Sequence, residues 1–138
     1  MHLYLLFSFL LAHWIADFVM QTHWMAVNKS KNWRVLTALA LVYTGTLGLV
    51  LLALGTLIGP FVTTPAAVVM LVSPSTFLIW VGLNGVLHWI TDALTSRWTA
   101  RLWRKADYYN FFVVVGLDQL IHYVTLITTW VLLATYLG

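Results

Sequence analysis

The sequence predicts an all-α fold: a polytopic membrane helical bundle of about four transmembrane helices, with both termini on the outer side. Three observations predict it. The 138 residues are 62% hydrophobic and only 8% charged, against about 25% charged in a soluble domain. Four apolar stretches have roughly the 20 residues that cross a bilayer. All seven Lys and Arg residues fall in two polar intervals, 29–34 and 97–105.

Each element has its own signal. The first span is predicted over residues 3–21. It lacks the basic leader of a signal peptide and carries polar residues, so it reads as a retained helix. The second covers 35–58 and stops at Gly59-Pro60, a helix breaker. Residues 63–72 are apolar but too short to cross, and lie between prolines. They suit a short re-entrant or interfacial segment. The third span covers 75–96 and the fourth 109–136. One transmembrane domain therefore occupies residues 1–138. In a four-helix serpentine both basic intervals share one side, which the positive-inside rule makes cytoplasmic. Gly55 and Gly59 form a GxxxG pattern, read as a helix contact. Cysteine is absent, which excludes disulfides and thiolate chemistry. The net charge of +3 is explained by the loops and predicts no nucleic-acid partner.

Only four acids are present, and three sit in a recurring motif. Residues 13–17 read HWIAD, 88–92 read HWITD and 118–122 read DQLIH. A spacing of four is about one helical turn, so each His and Asp share a helix face. The third motif is reversed because the fourth helix runs opposite to the first and third. Reversal keeps every Asp on the cytoplasmic side of its His. Three helices can then supply a layer of carboxylates and a layer of imidazoles about 6 Å apart.

Carboxylates near lipid are costly, about 2.5–3.5 kcal/mol each by the insertion scale. A divalent cation compensates them, with His13, Asp17, His88, Asp92, Asp118 and His122 as ligands. Six ligands suit two ions. Zinc fits such donors best, with manganese or iron as alternatives. Gln21, His23, Asn84 and Gln119 stand near enough in sequence to orient the ligands, and Trp14 and Trp89 to wall the site. Arg97, Arg101, Arg104 and Lys105 would share one helical face. They read either as a topology anchor or as a contact to a phosphate or anionic headgroup.

The run HWIADFVMQTHWM, a lysine-rich turn, HWITD and LDQLIH together resemble a family of small bacterial and phage membrane proteins, the domain of unknown function numbered 3307. The resemblance covers nearly the whole chain, and Asp17-Phe18 with Gln21 and the Asp118-Gln119…His122 run are its more specific parts. It implies a bacterial inner membrane location. The family pattern carries a further histidine in the second helix ahead of a tyrosine. Residues 36–44 here read LTALALVYT, with Tyr43 and no histidine. The paired HxxxD pattern is also similar to the helix-borne ligands of zinc-dependent phospholipase C and membrane-bound metal-dependent hydrolases. That likeness implies phosphoester cleavage.

The expected function is metal-dependent hydrolysis of a lipid or lipid-linked phosphoester at the cytoplasmic leaflet. Asp17, Asp92 and Asp118 would be ligands, or one of them the general base. The alternatives are a metal-ion or proton-coupled transporter, and a non-catalytic scaffold fixed by its polar cluster. Membrane lipids are the expected partners, with further copies of the chain if a transport path is to form.

Overall fold

In the computed structural model, residues 3–58 and 73–136 are described, and they are helical apart from short joins. Helix α1 (Leu3–Trp14) runs straight into a π-helical turn, Ile15–Val19. There the Met20 amide reaches the Ile15 carbonyl at 3.0 Å. A π turn inserts one residue into the helix and is frequent at functional sites; this one carries Asp17. The expected polar turn contains a short helix, α2 (His23–Asn28), capped where Thr22 Oγ1 accepts from the Met25 amide at 3.3 Å. Helices α3 (Trp33–Ile58), α4 (Pro74–Arg104) and α5 (Tyr108–Tyr136) follow.

Helices α3, α4 and α5 are long and apolar enough to cross a membrane; Leu3–Val19 is apolar but shorter. The bounds differ most at α4, expected to end at residue 96. Helix-compatible residues carry it two turns further, so Arg97, Arg101 and Arg104, expected on one helical face, lie on the same continuous helix as the span. Lys105 caps it and Ala106 (φ 55°) reverses the chain in the left-handed region. The Asp107 carboxylate then accepts from the Asn110 amide at 3.3 Å and starts α5. This tight join makes α4 and α5 an antiparallel hairpin. The segment expected at 63–72 lies outside the described residues.

The buried apolar core joins α1, α3, α4 and α5 through Phe9, Leu47, Trp80, Leu126 and Trp130. The Phe9 and Trp80 rings stack at 4.9 Å, and Trp130 meets both edge-on at 5.6 and 5.7 Å. The close approach of α3 and α4 falls at Gly85, where an added Cβ would lie 2.1 Å from Thr44 Oγ1. The GxxxG expectation fares differently: open space surrounds Gly55, and Gly59 lies outside the described residues.

Candidate functional site

The three motif histidines meet. His88 and His122 have ring centroids 4.4 Å apart, His13 and His122 5.2 Å, and His13 and His88 6.4 Å. All three are buried, as are Asp17 and Asp92; the Asp118 side chain is 13% exposed. Each Asp lies one turn from its His in the direction away from Phe9, Trp80 and Trp130. Helix α5 runs antiparallel to α4, so only the reversed order keeps Asp118 with the other carboxylates. Stacked along the bundle are carboxylates, imidazoles and then an aromatic plug.

The contacts between the two polar layers are too long for hydrogen bonds. His88 Nε2 lies 3.6 Å from both Asp17 Oδ1 and Asp92 Oδ2. His122 Nε2 lies 3.8 Å from Asp92 Oδ1 and 3.6 Å from Asp118 Oδ1. Among the described residues, Asp17 Oδ1, His88 Nε2 and His122 Nε2 are buried without a hydrogen-bond partner. Such atoms normally have partners, and leaving one unpaired costs about 1–3 kcal/mol. Bonds of about 2.0–2.1 Å to one tetrahedral ion would set its ligands roughly 3.3–3.4 Å apart. The observed spacing is close to that, so these residues fit a metal ion. Among the described residues, two triads bring their donor atoms within 4.8 Å of one another: His88, Asp92 and His122, and Asp17, Asp118 and His122. Both use His122. One imidazole nitrogen has one lone pair, so the two triads cannot be filled together through it.

His13 stands apart from both triads, because its two nitrogens are already engaged. Nδ1 lies 3.1 Å from Tyr43 Oη and Nε2 3.1 Å from Gln119 Oε1. Gln119 Nε2 donates to Asp17 Oδ2 at 3.0 Å and to Asp118 Oδ2 at 3.1 Å. Ionised carboxylates only accept, so with both aspartates ionised the amide turns its oxygen toward His13. His13 Nε2 must then carry a proton, and Nδ1 accepts from the Tyr43 hydroxyl. Tyr43 also lies flat on His88, with centroids 3.8 Å apart and planes 4° apart. Thr95 Oγ1 donates to Asp118 Oδ1 at 2.5 Å.

Lys29 is the residue that sequence reasoning missed. It follows α2, and its Nζ donates to Asp92 Oδ2 at 2.8 Å. Burial alone would lower its pKa, but the Asp92 and Asp17 carboxylates outweigh that and hold it above the ordinary lysine value. Lys29 is therefore charged at neutral pH. The positive-inside pattern concealed it, since a loop lysine already had an explanation there.

Other expected residues lie elsewhere. His23 is exposed at the start of α2. Asn84 is buried, and its amide donates to the Trp80 carbonyl and to Thr129 Oγ1, both at 2.9 Å, one turn beyond the imidazoles. Trp14 faces outward. Trp89 stacks on Trp33 at 5.4 Å and donates to Thr37 Oγ1, bracing α4 against α3. Gln21 does reach the site: it lines the carboxylate cavity, and its Oε1 is buried without a partner.

Two cavities open beside the carboxylates. The inner one, about 230 Å³, is lined by Asp17, Asp92, Asp118, Gln21, Gln119 and Lys29, among others. The outer one, about 700 Å³, is lined by Lys29, Lys31, Arg97, Arg101 and Arg104, with Trp103 and Phe111. Lys29, Ser96, Thr99 and Phe111 line both. Lys105, expected with the arginines, is on the α4 cap and outside this lining. Arg97 lies over the Trp33 ring at 3.9 Å and donates to the Ala93 carbonyl.

The model of a family described as a protein of unknown function (DUF3307) matches residues 5–137. No curated protein and no solved structure matches the chain.

Proposed function

The chain belongs to this family of proteins of unknown function, and we propose that it is a metal-dependent hydrolase that cleaves phosphoesters within the membrane. One observation carries the reading: buried, hydrogen-bond-starved imidazole and carboxylate atoms converge beside a cavity. A structural polar cluster would satisfy such atoms with one another.

His88, Asp92 and His122 would hold the ion, with Asp17 Oδ1 facing the same point from α1. Zinc suits this mixed nitrogen and oxygen set, as manganese and iron do. A bound divalent ion would polarise the phosphoryl group and acidify a water molecule. The chain's own residues do the rest. Asp118 is the most exposed of the three carboxylates and lines the inner cavity, so it is the proton acceptor. Gln119 fixes the planes of Asp17 and Asp118 and is itself held by His13, which Tyr43 orients. His13 is then a positioning residue rather than a ligand.

Leu3–Val19 is read as the fourth span, and the ends carrying the basic residues as cytoplasmic, in a bacterial inner membrane. The aromatic plug argues against a transport path. Phe9, Trp80 and Trp130 close the bundle on the far side of the imidazoles, while both cavities lie on the carboxylate side.

The test is elemental analysis of protein purified without chelator, beside His88→Gln and Asp92→Ala. It is followed by a phosphoester panel that includes phospholipids. About one equivalent of a transition metal, lost in both variants, with turnover that Asp118→Asn abolishes, is expected. Folded wild-type protein without metal, or loaded protein that turns over nothing in the panel, would sink the reading.

A further inference from the structure

We propose that the outer cavity is a binding site for a phosphate-bearing anion, and that it delivers the phosphoryl end of that anion to the carboxylate cavity. Five of the chain's seven basic residues line this one concavity: Lys29, Lys31, Arg97, Arg101 and Arg104. The positive-inside rule requires basic residues on one side of the membrane. It does not require them to converge from two separate parts of the chain. Favourable interaction with the end of the α4 dipole accounts for Arg101 and Arg104, but not for Lys29 and Lys31, which come from the α2–α3 join.

The charge there is unbalanced. No acid lines the cavity. Among the described residues only Lys29 has a carboxylate partner; Lys31, Arg97, Arg101 and Arg104 have none within ion-pair distance. The fourth acid, Asp107, is spent on the start of α5, where it accepts from Asn110. Concentrated, unneutralised guanidinium groups suit phosphate oxygens, which they can grip in pairs. Arg97 is held in place by Trp33 and the Ala93 carbonyl, so part of the site is preorganised. The volume lies within the roughly 300–1,000 Å³ of small-molecule sites. Lys29 lines both cavities and also holds Asp92, which places the junction at the edge of the candidate ligands.

This deepens the phosphoester reading, but anion binding itself does not depend on a metal. The experiment measures two probes on the full chain at low ionic strength. Inorganic phosphate is titrated by calorimetry into detergent-purified protein. Retention of phosphatidic acid is compared with that of phosphatidylcholine in nanodiscs. Saturable binding of free phosphate, selective retention of phosphatidic acid, or both would support the site and identify the source of the phosphate. Arg101→Gln/Arg104→Gln should weaken binding about tenfold or more, and Arg101→Lys/Arg104→Lys should restore part of it. Both positions are exposed, so folding is preserved. Wild-type protein stripped of metal by chelator should bind the anion as untreated protein does. Equal retention of the two lipids without phosphate binding, or binding unchanged in Arg101→Gln/Arg104→Gln, would overturn the proposal. Anion binding by a protein that never takes up metal would leave it standing and remove the hydrolase.

Discussion

Replacing Asp92 with Ala tests how the buried charges are balanced. The Asp92 side chain is 1% exposed, accepts from Lys29 Nζ at 2.8 Å, and lies 3.6 Å from His88 Nε2 and 3.8 Å from His122 Nε2. Its loss strands the Lys29 ammonium, which is only 18% exposed. Removing one partner of a buried pair costs about 3–5 kcal/mol. Lys29→Met removes the other partner, but Asp92 keeps its imidazole neighbours and any bound cation, so about 1–3 kcal/mol is expected. The double variant leaves neither charge orphaned and should be less damaged than the sum of the two. The coupling should reach about 2 kcal/mol. The assay is equilibrium unfolding in one detergent for wild type, both single variants and the double variant, with metal content measured on each. Asp92→Ala should lose metal and Lys29→Met should keep it. Single effects that add to within about 0.5 kcal/mol would refute the pair. Metal retained in Asp92→Ala would remove Asp92 from the ligand set.

Further perturbations probe the layers around this pair. Gln119→Leu removes the bridge between His13 and two carboxylates. Metal affinity should fall about 10–100-fold, read by competition with a chromophoric chelator; unchanged affinity would mean that the bridge orients nothing. His13→Phe keeps the ring but loses both hydrogen bonds, so metal stoichiometry should persist while affinity drops. Complete loss of metal would make His13 a ligand after all. Gly85→Ala drives a methyl into Thr44 and should cost about 1–3 kcal/mol of stability, whereas Gly55→Ala, in open space, should be tolerated. Equal unfolding midpoints for those two variants would contradict the α3–α4 approach.

Much of the site was legible because a helix has a fixed period. Three His/Asp pairs at a spacing of four, one of them reversed, state which residues share a face and which helix runs backwards, without any coordinates. The long apolar runs α3, α4 and α5 were legible for a similar reason: length and hydropathy suffice. The unbroken run of α4 from the span into its basic turns was hidden, because basic residues on one helical face read the same on a separate helix as on a continuous one. The π turn at Ile15–Val19 was hidden too, since a helix accommodates an extra residue with no compositional mark.

The sequence by itself determined an apolar helical chain in which carboxylates and imidazoles must occupy adjacent layers, since local spacing and side order are properties of one helix at a time. Only the tertiary structure decided which of those atoms meet. It turned His13 toward Tyr43 and Gln119, folded Lys29 back onto Asp92 across 63 positions of sequence, and gathered basic residues from two intervals around one cavity. Those are relations between helices, fixed by packing such as the Gly85–Thr44 approach and the Phe9–Trp80–Trp130 plug. No periodicity within a single segment encodes them.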